Sequence, residues 1–154
     1  VFLPVRRVFN VLLQSCPGGI VMNVSRELIT PSKLHPSPGF SHIAIAPAGG
    51  RIACIAGQVA LAPDFSVIGG DDLGEQTKAA MRNLQVALDA IGVGWGDVIR
   101  RTIYTLHPSR YEVMTAAIEE IQGSSEHPAQ TIVGVTGLAV PGLLIEIEAT
   151  VHLR

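Results

Sequence analysis

Short stretches of alternating apolar and polar residues, separated by glycine and proline turns, dominate the chain from Ser41 onward. SHIAIAP (41–47) alternates, Pro47 to Gly50 reads as a turn, and RIACIAGQVAL (51–61) follows with β-branched and small apolar residues. A period of two on both sides of a turn predicts a hairpin. The period then changes. Asp71 and Asp72 precede Leu73, Ala80, Leu84, Ala87, Leu88 and Ile91 at helical spacing, and Gly92 stands where a left-handed C-terminal cap belongs. Asp72 is placed to accept from first-turn amides, and Glu75 adds a second carboxylate at the positive end of the helix dipole. Residues 98–106 alternate again as a strand, and Ser109 with Glu112 has the S-x-x-E form of a capping box opening a second helix. Its apolar stripe is Tyr111, Met114, Ala117, Ile118 and Ile121, ending at Gly123. Two strands follow at 131–136 and 143–153, the last placing Glu146 and Glu148 on one face and Ile145 and Ile147 on the other.

The predicted order is therefore β-β-(short β)-α-β-α-β-β, an α+β domain with a mixed sheet and two helices on one face. Helices cover only one side of such a sheet, and the other side also carries apolar residues, so it needs a cover of its own. The composition agrees: the chain is 47% hydrophobic and 16% charged, leaving few charges to coat a monomer. Subunits packed sheet against sheet around a symmetry axis would supply the missing cover.

At 154 residues the chain fits one domain. SKLHPSP, between Pro31 and Pro38, is a lead-in loop, so residues 1–38 are read as an N-terminal extension and 39–154 as the domain proper. Residues 1–19 carry Arg6 and Arg7 before a short apolar run interrupted by Asn10, too short for a secretory or membrane-spanning segment. Residues 1–21 read as an extension upstream of Met22, a candidate natural start. Cys16 and Cys54 have no CxxC or Cys/His spacing, which fits a reducing cytoplasm and suggests neither a zinc site nor a disulfide framework. A net charge of -2 with no basic run makes nucleic acid a poor partner.

Several familiar chemistries have no carrier. GVGWG follows a helix instead of a strand and opens no helix, so it cannot aim amides at a pyrophosphate. His35, His42, His107, His127 and His152 lack metal-ligand spacing and read as surface or loop residues. There is no nucleophile elbow and no S-x-x-K. Trp95 and Tyr104 read as packing aromatics. Glu148, with Glu146 nearby, stands out on a strand of Ile, Ala, Thr and Val. A glutamate there is either solvent-facing or held in a partly apolar crevice, where poorer solvation lets a carboxyl carry protons to or from a water.

Five stretches together resemble the RidA/YjgF family of reactive-intermediate deaminases: AGQVAL (56–61), EQTKAAMRNLQVALDAIG (75–92), DVIRRTIYT (97–105), HPAQTIVGV (127–135) and LIEIEATV (144–151). The resemblance spans about 39–153. It implies a chorismate-mutase-like subunit, a homotrimer with the sheets forming a central barrel, three small-molecule clefts between subunits, and no cofactor, metal, nucleic-acid or membrane partner. Deaminases of this kind hold an imino acid through the arginine of a Pro-Ala-Arg motif while a glutamate-assisted water attacks the imine carbon.

Here that motif reads Pro128-Ala129-Gln130, so the cation is missing. Phe40, Ala56, Thr115 and Ile132 likewise stand where the family has tyrosine, serine, asparagine and cysteine, leaving Glu148 of the polar set. Loss of a bidentate arginine removes a charge-assisted pair worth about 1.5–3 kcal/mol, unless Arg100 or Arg101 compensates from a neighbour. The resemblance thus implies catalysis by Glu148, with Phe40, Ala56, Gly57, Thr115, Gln130 and Ile132 around the ligand. A non-catalytic binding or regulatory trimer is the alternative, and an endoribonuclease or translation inhibitor is a third reading that the charge disfavours.

Overall fold

The computed structural model describes residues 26–154, so the expectations for residues 1–21, Met22 as a start and Cys16 lie outside the described residues. Within them, β1 (Glu27–Ile29) and β2 (Ile43–Ile45) form a two-stranded sheet. β3 (Arg51–Val59), β4 (Val98–Thr105), β5 (Ala129–Gly134) and β6 (Ile145–Leu153) form a four-stranded one in the order β3-β6-β4-β5. β4 and β5 run parallel and the other pairs antiparallel, so the sheet is mixed. α1 (Leu73–Ala90) and α2 (Tyr111–Gln122) pack against each other and onto one face of the larger sheet.

The expected hairpin does not form. β2 pairs with β1, which lies in the part of residues 1–38 read as an N-terminal extension, and β3 pairs with β6 at the far end of the chain. The turn at 47–50 connects two sheets instead of two paired strands. Gly50 explains its glycine: φ is +78°, and a Cβ there would lie 2.1 Å from the Leu153 carbonyl oxygen. The chain passes too close to the end of β6 for any side chain. The short strand expected before α1 shrinks to a single bridge, Leu61 to Val67.

α1 begins and ends as its sequence dictates. The Asp72 carboxylate accepts from the Glu75 amide at 3.1 Å, and Gly92 at φ +70° donates back to the Asp89 carbonyl. Leu73, Met81, Leu84 and Leu88 are fully buried, each contributing about 1.5–3 kcal/mol over exposure. Ile91, placed on the stripe by spacing, is 40% exposed because it already belongs to the cap. The capping box at α2 is absent. Pro108 and Ser109 lie in a tight turn closed by Arg110 N–H to the His107 carbonyl, so Arg110 is the cap residue and Ser109 falls outside the helix. Tyr111, at the first position of α2, is likewise exposed.

β6 is the central organiser. Ile145, Ile147, Ala149 and Val151 are buried beneath the helices with Ile103 of β4, whereas Glu146, Glu148 and Thr150 lie on the open face. Gln76 ties the last connection to α1: its amide nitrogen donates to the Gly70 and Gly142 carbonyls, and its oxygen accepts from Leu144 N–H at 2.8 Å.

Candidate functional site

The open face of the larger sheet gathers polar groups in register. Glu148 lies opposite Thr102 on β4, Thr150 opposite Arg100, and Glu146 opposite Tyr104. On its other side β6 meets a bulge: Ile55 pairs with Ala149 and Gln58 with Ile147, so Ala56 and Gly57 together oppose Glu148. A bulge takes a residue out of the ladder and re-aims its neighbours. The Glu146 side chain folds over Gly57, where a Cβ would lie 1.8 Å from its Oε1, so a larger residue there would push the Glu146 side chain aside.

Glu148 is half-buried and accepts a 3.2 Å hydrogen bond from the Tyr104 phenol. Tyr104, read from the sequence as a packing aromatic, is instead the carboxylate's partner. Its phenol is held above its ordinary pKa, first by poorer solvation and then by that bond, so it stays a donor. Glu148 borders two depressions. One, of about 120 Å³, is lined by Cys54, Ile55, Arg100, Thr102, Ala149 and Thr150. The other, about 390 Å³ and more open, includes Tyr104, Glu146 and the 137–139 loop.

The remaining residues anticipated around a ligand lie elsewhere. Gln130 pairs with Arg101 and Ile132 with Ile103, both of which point into the core, so Gln130 and Ile132 face the helices, opposite to Glu148. The Gln130 amide donates to the Gly39 carbonyl at 3.1 Å, while its oxygen is buried without a partner among the described residues. Gly39 in turn abuts Thr115 on α2, and Phe40 stacks edge-on with His42 at 5.0 Å. Phe40, Thr115, Gln130 and Ile132 thus form one group and Glu148, Ala56 and Gly57 another. A single chain does not bring them together.

Beside Gln130 lies Arg101, named from the sequence as a cation that could compensate from a neighbour; it is buried within its own chain, in a network the sequence did not suggest. Arg101 is 1% exposed; its guanidinium donates to Gln122 Oε1 at 3.1 Å and to His127 Nδ1 at 2.8 Å, and His127 Nε2 donates to Glu119 Oε1 at 2.9 Å. Burial lowers the Arg101 pKa to about 9, which leaves it charged at neutral pH. His127 is held below its ordinary value mainly by burial, so it is the neutral link between a cation and a carboxylate. His127 and His152 are buried, which corrects their reading as surface residues, although His127 does lie in the loop before β5. His152 binds the Gly49 carbonyl at 2.7 Å across the 47–50 turn.

Among the described residues no group of three His, Cys, Asp or Glu is placed to hold a metal ion, and no helix is long and apolar enough to cross a membrane.

Residues 30–153 match the family described as Endoribonuclease L-PSP. A RutC family protein of Pyrococcus horikoshii is 33% identical over 103 residues, covering 67% of this chain and 80% of that protein. Among solved structures, a Rid-family protein of unknown function from Yersinia pestis aligns with TM-score 0.78 and 36% identity, covering 84% of this chain and all of that one. A YjgF-family protein from Mycobacterium tuberculosis aligns with TM-score 0.57 and 29% identity over 84% of this chain and all of its own.

Proposed function

The chain belongs to the endoribonuclease L-PSP (RidA/YjgF) family, and from that premise we propose that it binds a small metabolite in a cleft between subunits of a homotrimer and hydrolyses a C=N bond there. The observation that carries this reading is Glu148. It stands on the open face with Tyr104 donating to one oxygen and the Ala56–Gly57 bulge opposite, so its carboxylate is positioned and its second oxygen remains for a water.

The chemistry follows from those groups. Glu148 takes a proton from water as the water oxygen adds to the imine carbon and hands it to the imine nitrogen, giving a carbinolamine. The hydroxyl proton then passes through Glu148 to the same nitrogen as the carbonyl forms and the carbon–nitrogen bond breaks, and ammonia leaves. One imine and one water yield one carbonyl compound and one ammonia.

The separation of the two residue groups supports the shared cleft. Phe40, Thr115 and Gln130 gather beside the β5 edge, and a second copy laid against the open face would carry them toward Glu148 of its neighbour. That face exposes Ile52 by 55%, along with Cys54 and Ala56, a surface suited to burial between copies.

A second reading, a trimer that binds without turnover, is favoured by Gln130, which brings no charge and points toward the helices. Ammonia release from freshly generated 2-iminobutyrate and other imines separates the two. Turnover lost in Glu148→Gln is expected; absence of turnover on every imine, with the trimer intact and a ligand-induced thermal shift, would leave only binding. RNA cleavage is the third arm and is expected to be nil, because a chain with net charge -2 offers phosphates little.

A further inference from the structure

Two arginines meet at the C-terminal end of α2 with no carboxylate in contact with either among the described residues. Arg101 on β4 is 1% exposed, and its guanidinium donates to the Gln122 side-chain oxygen and to His127 Nδ1, both neutral acceptors. Arg26, just before β1, is half-buried and donates to the carbonyls of Trp95 and Glu126. The Glu126 carbonyl also accepts from Nε2 of Gln122 at 3.2 Å, so one side-chain amide and one carbonyl link the two guanidiniums. They feel each other: the Arg101 pKa is pulled down first by burial and then by the positive charge of Arg26.

The nearby acids are engaged elsewhere. Asp97 accepts from Arg154 at 2.8 Å and from the Gly94 amide at 3.1 Å, Glu119 accepts from His127, and the Glu126 side chain is exposed. Residues 1–25 contain neither Asp nor Glu, so they bring no carboxylate to this place. Among the described residues four buried side-chain polar atoms lack a hydrogen-bond partner, and three gather here: Nε of Arg26, Nε of Arg101, and Oε1 of Gln130, which lies across from Arg101 in the β4–β5 register. A buried charge with no counter-charge is strongly unfavourable, and an unmet donor on the same group adds to the cost.

We propose that a small inorganic anion of chloride size binds between Arg26 and Arg101 and accepts from their unused donors. The site lies apart from the Glu148 face and does not depend on the hydrolysis proposed above. A lone water would serve Gln130 and one donor yet leave both charges uncompensated. The burial of Arg101 restricts entry to an ion little larger than water and excludes anions that carry a carbon skeleton. Bound there, the ion fastens Arg26, and with it the segment leading into β1, to the end of α2 and to β4.

Thermal unfolding of the full chain in sodium chloride and in sodium gluconate at equal ionic strength tests this, gluconate being too bulky to enter. Chloride should raise Tm by about 2–4 °C with saturation, and bromide should do the same. Arg26→Gln, at the half-buried partner, should abolish the chloride response, whereas Arg82→Gln, at an exposed arginine of α1, should keep it. Arg101→Gln should also abolish it; the comparison of wild type with Arg26→Gln stands even where that buried substitution prevents folding. In crystals grown with sodium bromide, anomalous scattering should place an ion within hydrogen-bonding distance of Arg101 Nε. Equal Tm in chloride and gluconate, or a chloride response that survives in Arg26→Gln, would overturn the assignment. So would bromide crystals with a water alone beside Arg101 and bromide only at the surface.

Discussion

The Tyr104 phenol donates to the Glu148 carboxylate at 3.2 Å, joining β4 to β6 on the face that the helices leave open. Tyr104→Phe removes the donor and keeps the ring. Imine hydrolysis should fall roughly tenfold in kcat with KM little changed, whereas Glu148→Gln should fall by about 100-fold or more. Steady-state rates of both variants against one imine check the ratio. A phenylalanine variant that lost thermal stability in place of rate would make Tyr104 a packing residue after all.

Gln130→Arg, which restores the family motif on paper, should be destabilising. The new guanidinium would lie directly across from Arg101, which is already buried and has no carboxylate in contact among the described residues. Like charges on paired strand positions repel, and a loss on the order of 1–3 kcal/mol is expected. Urea denaturation measures it, and unchanged stability with tighter carboxylate binding would contradict the orientation of Gln130 toward the helices.

Stability should also depend on pH through His127. Its folded-state pKa is depressed, so below the unfolded value near 6.5 the unfolded chain takes up a proton that the folded chain resists. The contribution is fully present above that value and is lost as pH falls toward the folded pKa. Protonation at Nδ1 would also set a donor against the Arg101 guanidinium. Denaturation at pH 7.5 and 5.5 should show a decline that is smaller in His127→Gln, which can still accept from Arg101 and donate to Glu119.

Leu84 on α1 is fully buried in the main core cluster. Leu84→Ala should cost about 2–5 kcal/mol without touching the open face. Imine turnover by the protein that remains folded should be unchanged, which separates the core from the site.

Much of the architecture was legible from local pattern. Asp72 and Gly92 bound α1 as read, and the alternation of Ile145, Glu146, Ile147 and Glu148 sorted the two faces of β6 correctly, because a half-buried strand must alternate. Pairing partners were less legible. β1 and β2 are three residues each, too short for a period, and the glycines at 49 and 50 look the same whether a turn joins paired strands or leads to another sheet. The face of Gln130 is decided by Arg101 on a different strand, so nothing in HPAQTIVGV reveals it. Tyr104 could not be matched to Glu148 across 44 residues without the fold, and Arg101 breaks the apolar pattern where His127 and Gln122, both distant in sequence, accept from it.

The bulge at Ala56 and Gly57 makes β3 a counted segment. Up to Ile55 each residue has its partner on β6 at one offset, and from Gln58 onward the offset is one greater. Substitutions at 56 or 57 disturb a side chain, but removing either residue changes the count. Two residues there stand against the one Glu148, so removing either leaves one against one: Gln58 still faces Ile147, and Ala60 keeps its place against Ala79 and Leu143. Shortening by a single residue at this point is therefore expected to close the ladder into a regular one, sparing the core and losing the local kink beside Glu146 and Glu148.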